Sequence, residues 1–247
     1  MKSLLILALA VLALAPASAQ TPDYQAMLAK IDRLTNMPTD FTATYTDVAI
    51  RPGQDTSVFS HLIYRRDKDN KFLVILLAPN SKKGQGYLEV DNNLWFYDPN
   101  SRLFSHTSLK DNWQNSDAMN SDFYKTTFAA DYTVSAASEA TLGAYPVYVL
   151  DLKATNDRVT YPFKKLWIRK DLGLILKSED SSLSQRLMRT AYYPEYVRIG
   201  EQYLASRMLF VDNLNVGNKT QMTMSDPSTA PLADTVFQKS YLEQVSR

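Results

Sequence analysis

Between Tyr24 and Leu34 the apolar residues Tyr24, Met27, Leu28, Ile31 and Leu34 recur every three or four positions, the spacing of a helix with one buried face. Thr21, Pro22 and Asp23 read as N-cap, first-turn proline and an acid suited to the helix dipole, and Pro38 lies just beyond the run. One amphipathic helix is predicted over residues 22–36. From Phe41 onward the texture changes to short runs rich in Val, Ile, Thr, Tyr and Phe. They predict strands over residues 41–51, 58–66, 71–78, 86–90, 94–97, 103–107, 132–139, 145–154, 164–169, 174–179, 187–193, 196–199, 206–214 and 220–225. Several connectors are short and built of turn residues: Asp67-Lys68-Asp69-Asn70, Asp91-Asn92-Asn93, Asp98-Pro99-Asn100-Ser101 and Lys170-Asp171-Leu172-Gly173. Strands joined this tightly are antiparallel, because a parallel pair needs a long crossover. The expectation is a mainly β protein, one continuous meander with no flexible linker or internal repeat to divide it.

One interval breaks the meander. Residues 108–131 are polar and turn-rich, punctuated by Trp113, Met119, Phe123, Tyr124 and Phe128. A connection of this length inside a meander is usually functional or carries helix of its own. The 123/124/128 spacing suits a short helix with an aromatic face, and that face must be buried against something.

The first residues have a different character. Lys2 precedes an apolar run from Leu4 to Leu14, which Pro16 breaks ahead of the small residues Ala17, Ser18 and Ala19. That is the layout of a cleavable export signal over residues 1–19, leaving residues 20–247 as a single soluble, exported domain. The run falls short of the roughly 20 apolar residues that cross a bilayer.

Composition removes whole classes of chemistry. The chain contains no cysteine, which excludes disulfides, thiolate metal sites and cysteine nucleophiles. Lys plus Arg number 27 against 26 Asp plus Glu, so no net field draws the chain to nucleic acid. The two histidines, His61 and His106, sit in strand-like runs without metal-ligand spacing, and are expected to face solvent or polar neighbours. Gly84-Gln85-Gly86 lacks the third glycine of a dinucleotide loop, and no Gly-x-Ser-x-Gly elbow is present. Neither an enzyme nor a metal or other cofactor is expected. Fifteen Tyr, ten Phe and three Trp exceed what one face of a sheet needs. An unclosed barrel with an apolar interior would use that excess, with helices across its mouth.

The order of motifs resembles a family, the bacterial outer-membrane lipoprotein-sorting proteins, which are similar to the periplasmic lipoprotein carrier of the Lol system. Leu94-Trp95-Phe96-Tyr97-Asp98-Pro99 followed by Arg102 is similar to the family's Trp-x-Tyr-x-Pro strand and turn. Asn120-Ser121-Asp122-Phe123 resembles its Gly-Ser-Asp-Phe segment, with Asn120 in place of the usual glycine. Tyr161, Lys164 and Leu166-Trp167-Ile168-Arg169-Lys170 follow, then Lys219-Thr220 and Asp234, Phe237 and Leu242 near the C-terminus. Ala205 stands where a proline is expected after Tyr203-Leu204.

The resemblance implies an antiparallel unclosed β-barrel (a half-barrel) with an N-terminal helix and a short helical lid segment, enclosing an apolar cavity for acyl chains. It implies a periplasmic carrier of lipid or lipoprotein acyl chains toward the outer membrane, loaded from an inner-membrane transporter and emptied by an outer-membrane acceptor. A lipid- or protein-binding sensor without transport is the alternative. The aromatics expected to line the cavity and its lid are Trp95, Tyr97, Trp113, Phe123, Phe128 and Trp167. N-terminal sequencing of protein expressed in a diderm bacterium is expected to begin at Gln20, in the soluble periplasmic fraction; a membrane-bound product starting at Met1 would overturn the export reading.

Overall fold

The computed structural model of the chain describes residues 22–90 and 93–246. The expected export signal over residues 1–19 lies outside them, as do Thr21 and residues 91–92 of the expected connector Asp91-Asn92-Asn93. Helix α1 spans Tyr24–Thr35, and its N-cap is Asp23, whose side chain accepts a 2.9 Å hydrogen bond from the Ala26 N–H. Leu28 and Ile31 are its buried residues, as the helical spacing requires.

The strands follow as β1 (Phe41–Ile50), β2 (Ser57–Arg66), β3 (Lys71–Ala78), β4 (Gly86–Val90), β5 (Asn93–Asp98) and β6 (Leu103–Thr107). After the 108–131 segment come β7 (Tyr132–Leu142), β8 (Tyr145–Ala154), β9 (Phe163–Arg169), β10 (Ile175–Ser181), β11 (Leu187–Ile199), β12 (Gln202–Asp212) and β13 (Lys219–Ser228). Every neighbouring pair is antiparallel, in one 13-stranded sheet ordered β6-β5-β4-β3-β2-β1-β13-β12-β11-β10-β9-β8-β7. Among the described residues the sheet neighbours far apart in sequence are β1 and β13, paired from Thr42↔Ser228 to Ile50↔Lys219. Among the described residues β6 and β7 are the edges and do not pair with each other, so the sheet is not closed.

The sheet nevertheless curls. In a flat sheet β4 and β9, eight strands apart in order, would be separated by roughly 38 Å at about 4.8 Å per strand. Yet Ser121 bonds Thr160, in the loop before β9, while Tyr124 bonds Glu89 on β4. Three residues and two side chains cannot bridge the flat distance. The sheet therefore wraps around the 108–131 segment, which we call the strap, and the face toward the strap and α1 is the inner one.

The alternation of side chains across a strand then decides what is buried where. On β3, Phe72, Val74 and Leu76 enter the inner core with Phe41, Tyr45, Tyr87 and Leu94. Leu73 and Ile75 point outward, and with Leu88 and Tyr97 they pack under Val236, Phe237 and Leu242 from the C-terminal end. A second inner cluster seats Leu28 and Ile31 of α1 on Leu150, Leu152, Leu166, Ile168 and Ile175 of β8 to β10.

Two local expectations are corrected. The strand predicted to break between residues 193 and 196 runs unbroken as β11, because the ladder absorbs Pro194 in a bulge between Tyr192 and Glu195. The strap forms no single aromatic helix but three short turns of helix, at Trp113–Asn115, Asn120–Phe123 and Phe128–Asp131, the last labelled α2. Helix was expected mainly in the N-terminal segment and the strap, and a further helix, α3, spans Lys239–Val245. It is short and carries few apolar residues, so its stability comes from what it lies on.

That seat is made by glycine. A Cβ on Gly86 would lie 2.5 Å from Leu242 Cδ1, and one on Gly84, at φ +81°, would lie 2.7 Å from the Ser246 carbonyl oxygen. Gly84→Ala is expected to lower stability by about 1–3 kcal/mol, through its left-handed backbone and the clash with Ser246. Urea denaturation measures the loss, and limited proteolysis should show cleavage at α3 before the sheet is cut.

Candidate functional site

The strap is held to the inner face by directed bonds at both ends. Trp113 is fully buried and donates its Nε1–H to Asp47 of β1 at 2.8 Å. Its ring centroid lies 4.8 Å from those of Tyr87 and His61 and 4.7 Å from that of Phe123. Asp117 accepts from Arg51 and from Thr220, each at 2.8 Å. At the other end Asp32 of α1 accepts from the backbone N–H groups of Phe128 and Ala129, at 3.0 and 2.8 Å, capping α2 from outside. Asn36 exchanges two hydrogen bonds with the Thr126 backbone.

Between these ends sits Arg189 of β11. It bonds Asp180 of β10 at 2.8 and 3.0 Å, Asp122 of the strap at 2.5 and 3.0 Å, and the Asp117 carbonyl at 3.2 Å. Lys164 closes the group with a 2.7 Å bond to Asp180. Burial alone would push the Asp180 carboxyl up, but Lys164 and Arg189 outweigh it and hold the group below the ordinary carboxylate range.

His61 is not exposed, nor among polar neighbours alone. It is wholly buried, stacked on Tyr45 and edge-on to Phe123, with Nδ1 3.3 Å from Asp47. Burial pushes the imidazole down to about 3, and it pushes the Asp47 carboxyl up to about 8 against the downward pull of the Trp113 hydrogen bond. His106 lies exposed on β6 against Trp95, ring centroids 3.8 Å apart. Among the described residues no group of three His, Cys, Asp or Glu is placed to hold a metal.

Between the strap, α1 and the inner face lies a cavity of about 690 Å³. Ile31, Leu109, Phe128, Ile175, Leu204 and Met208 give it apolar wall, but the lining as a whole is mixed. Tyr45, Tyr124, Tyr132, Tyr161, Tyr193, Tyr196 and Tyr203 contribute to it, with the charged residues Arg65, Glu89, Lys125, Lys164 and Arg189. Two tyrosine hydroxyls are tied to backbone, Tyr132 to the Tyr161 carbonyl at 2.9 Å and Tyr196 to the Ile175 carbonyl at 2.7 Å. Arg65 is neutralised by Asp67, at 2.9 and 2.7 Å.

The residues singled out from sequence distribute over both faces. Phe128 lines the cavity, half-buried. Trp113 and Phe123 lie on the inner side but inside the packed core, where they fix the strap. Tyr97 is buried in the outer cluster under the C-terminal end, and Trp95, two residues before it, lies under Lys239 of α3. The inner positions of that strand belong to Leu94 and Phe96 instead. Trp167 also faces out, between the inward Leu166 and Ile168, with Lys177 over its ring. Strand period two forces this division, since neighbouring residues cannot share a face. Sequence reasoning missed Arg189, Asp180, Glu89 and the tyrosines of β11 and β12. The cluster Tyr192-Tyr193-Pro194-Glu195-Tyr196 was the available signal, although the bulge at Pro194 hides its facing.

A family model described as an uncharacterized protein matches residues 68–244. The chain belongs to that family. No curated protein matches it. Among solved structures, a LolA superfamily protein from Nitrosomonas europaea superposes with a TM-score of 0.78 at 24% identity, covering 88% of this chain and 98% of that one. A Vibrio parahaemolyticus domain described as an outer membrane lipoprotein-sorting protein domain gives 0.79 at 18% identity, over 89% and 97% of the two chains. A DUF1329 family protein from Desulfovibrio piger gives 0.77 at 19%, over 88% and 97%. The fold of this chain is the one these three structures share. Asn120 takes the usual glycine's place without a left-handed backbone, and its side chain donates to the Ser108 carbonyl at 2.8 Å.

Removing the Arg189 guanidinium leaves Asp180 buried with Lys164 alone, so Arg189→Ala is expected to cost about 3–5 kcal/mol in urea denaturation. Because the folded Asp180 carboxyl titrates below its unfolded value, its contribution is present above about pH 4 and is lost as pH falls through the folded value. Asp180→Asn should therefore flatten part of the acid limb of the wild-type stability profile.

Proposed function

We propose that the chain is a periplasmic carrier that takes acyl chains of lipids or lipoproteins into the cavity beneath the strap and moves them toward the outer membrane. The observation that carries this reading is the cavity itself. A space of about 690 Å³ falls within the range of small-molecule sites and is bounded by a sheet on one side and a short, separately bonded segment on the other. Each methylene removed from water contributes about 0.8 kcal/mol, so about ten of them supply about 8 kcal/mol, the scale of a micromolar dissociation constant before ordering costs. Such affinity is enough to carry a chain through water and weak enough to surrender it. The export layout of residues 1–19 and the likeness of fold to lipoprotein-sorting proteins support the same reading. Loading from an inner-membrane transporter and release to an outer-membrane acceptor belong to this proposal.

Release calls for the strap to move or for an acceptor of higher affinity to draw the chains out. No covalent chemistry is needed. The cavity serves equally in a sensor that binds lipid without delivering it, and a transfer assay between donor and acceptor vesicles separates the two.

Phe128 is the place to test the strap as a lid, because it borders the cavity and is only half-buried, whereas Phe123 is core. Phe128→Asp is expected to stay folded and to bind an environment-sensitive fluorescent fatty acid at least tenfold more weakly, since an ionised carboxylate in an apolar wall opposes chain burial. Phe123→Asp should unfold. Unchanged uptake by folded Phe128→Asp argues against the lid, and no uptake by the wild type argues against the carrier.

A further inference from the structure

Glu89 is a buried carboxylate whose surroundings do not complete it. It lies on β4 with Tyr87 on the inner face, while Leu88 packs into the outer cluster, and it is 9% exposed at the cavity wall. Its Oε1 accepts one long bond, 3.4 Å from the Tyr124 hydroxyl, and its Oε2 is buried with no hydrogen-bond partner. The nearby cations are engaged. Arg65 is bidentate to Asp67, and Lys125 donates to the Asp67 carbonyl at 3.1 Å.

Leaving a carboxylate oxygen buried without a donor is costly, and folded proteins rarely do it unless something else supplies the donor. Glu89 is one of the residues that line the cavity. A donor arriving there with the ligand completes the group, and a positively charged one does so most strongly. Arg65 and Lys125 balance Asp67 and Glu89, so a net-neutral zwitterionic headgroup adds no unbalanced charge to the wall.

We propose that Glu89 receives the primary ammonium of a phospholipid headgroup, so that the cavity selects amphiphiles whose polar end donates N–H hydrogen bonds. This rests on the proposed acyl-chain binding and specifies its ligand. Burial pushes the empty carboxyl up, against the pull of Tyr124 and Lys125, and an ammonium beside it favours the ionised form. The apolar wall of Ile31, Phe128, Ile175 and Met208 remains for the acyl chains.

Phosphatidylethanolamine and phosphatidylcholine test this cleanly. They share phosphate, net charge and chains, and differ in whether the nitrogen carries N–H donors. Delipidated full-length mature protein is incubated with vesicles holding equal amounts of the two, with identical chains, and retained lipid is quantified by mass spectrometry. The wild type is expected to favour phosphatidylethanolamine about tenfold, a single charge-assisted hydrogen bond's worth. Mono- and dimethylated headgroups should fall between, a ranking that needs no mutant. Glu89→Gln, of equal size, should bring the ratio near one. Equal retention by the wild type overturns the headgroup assignment while leaving acyl-chain binding intact. A preference that persists in folded Glu89→Gln overturns the role of Glu89, and retention of neither lipid overturns the carrier reading with it.

Discussion

Arg189 makes the strap and the sheet one object. A guanidinium has five N–H donors in a plane, and the five bonds at Arg189 run to three acceptor groups: Asp180 on the sheet, Asp122 on the strap and the Asp117 carbonyl farther along it. The faces of the plane are used as well, with the rings of Tyr161 and Phe210 at 5.0 and 4.6 Å. A lysine reaches one point, not a fork, and could not hold both carboxylates in register. The cavity depends on this junction together with the bonds that hold the two ends of the strap. The curl of the sheet has something to wrap around, and the strap has a fixed height above the inner face.

Much of the architecture was legible because it rests on local rules. Alternation over residues 41–50 and turns such as Asp67 to Asn70 define hairpins whatever the rest of the chain does. What escaped were consequences of packing at a distance. The run Leu94 to Tyr97 reads as aromatic on both faces, and only the arrival of α3 on the outer side explains why Trp95 and Tyr97 belong there. Arg189 looks like an ordinary strand residue in Leu187-Met188-Arg189-Thr190. Its importance depends on Asp122, 67 positions earlier, whose facing no periodicity reveals. His61 likewise appeared as an ordinary strand histidine, and the ring cage around it is assembled from β1 and two separate turns of the strap.

The cavity is less oily than the aromatic content suggested. Seven tyrosines line it, and the hydroxyls of Tyr132 and Tyr196 are spent on backbone carbonyls, which fixes the orientation of those two rings. The charged groups around them are largely paired within the protein. The wall therefore combines apolar and polar surface in one space.

The β1–β13 ladder lies near the middle of the sheet, yet it joins the first strand of the chain to the last. The strands on either side of it can each assemble from hairpins, but the two wings cannot be stitched together until nearly the whole chain is present. Folding by such a route is dominated by sequence-distant contacts and is correspondingly slow. α3 extends the dependence, because the outer side of β3 to β5 stays bare until the final residues arrive. Half-made chains of this protein therefore carry two exposed apolar surfaces at once, which makes the interval between synthesis and completion the period of greatest need for a chaperone.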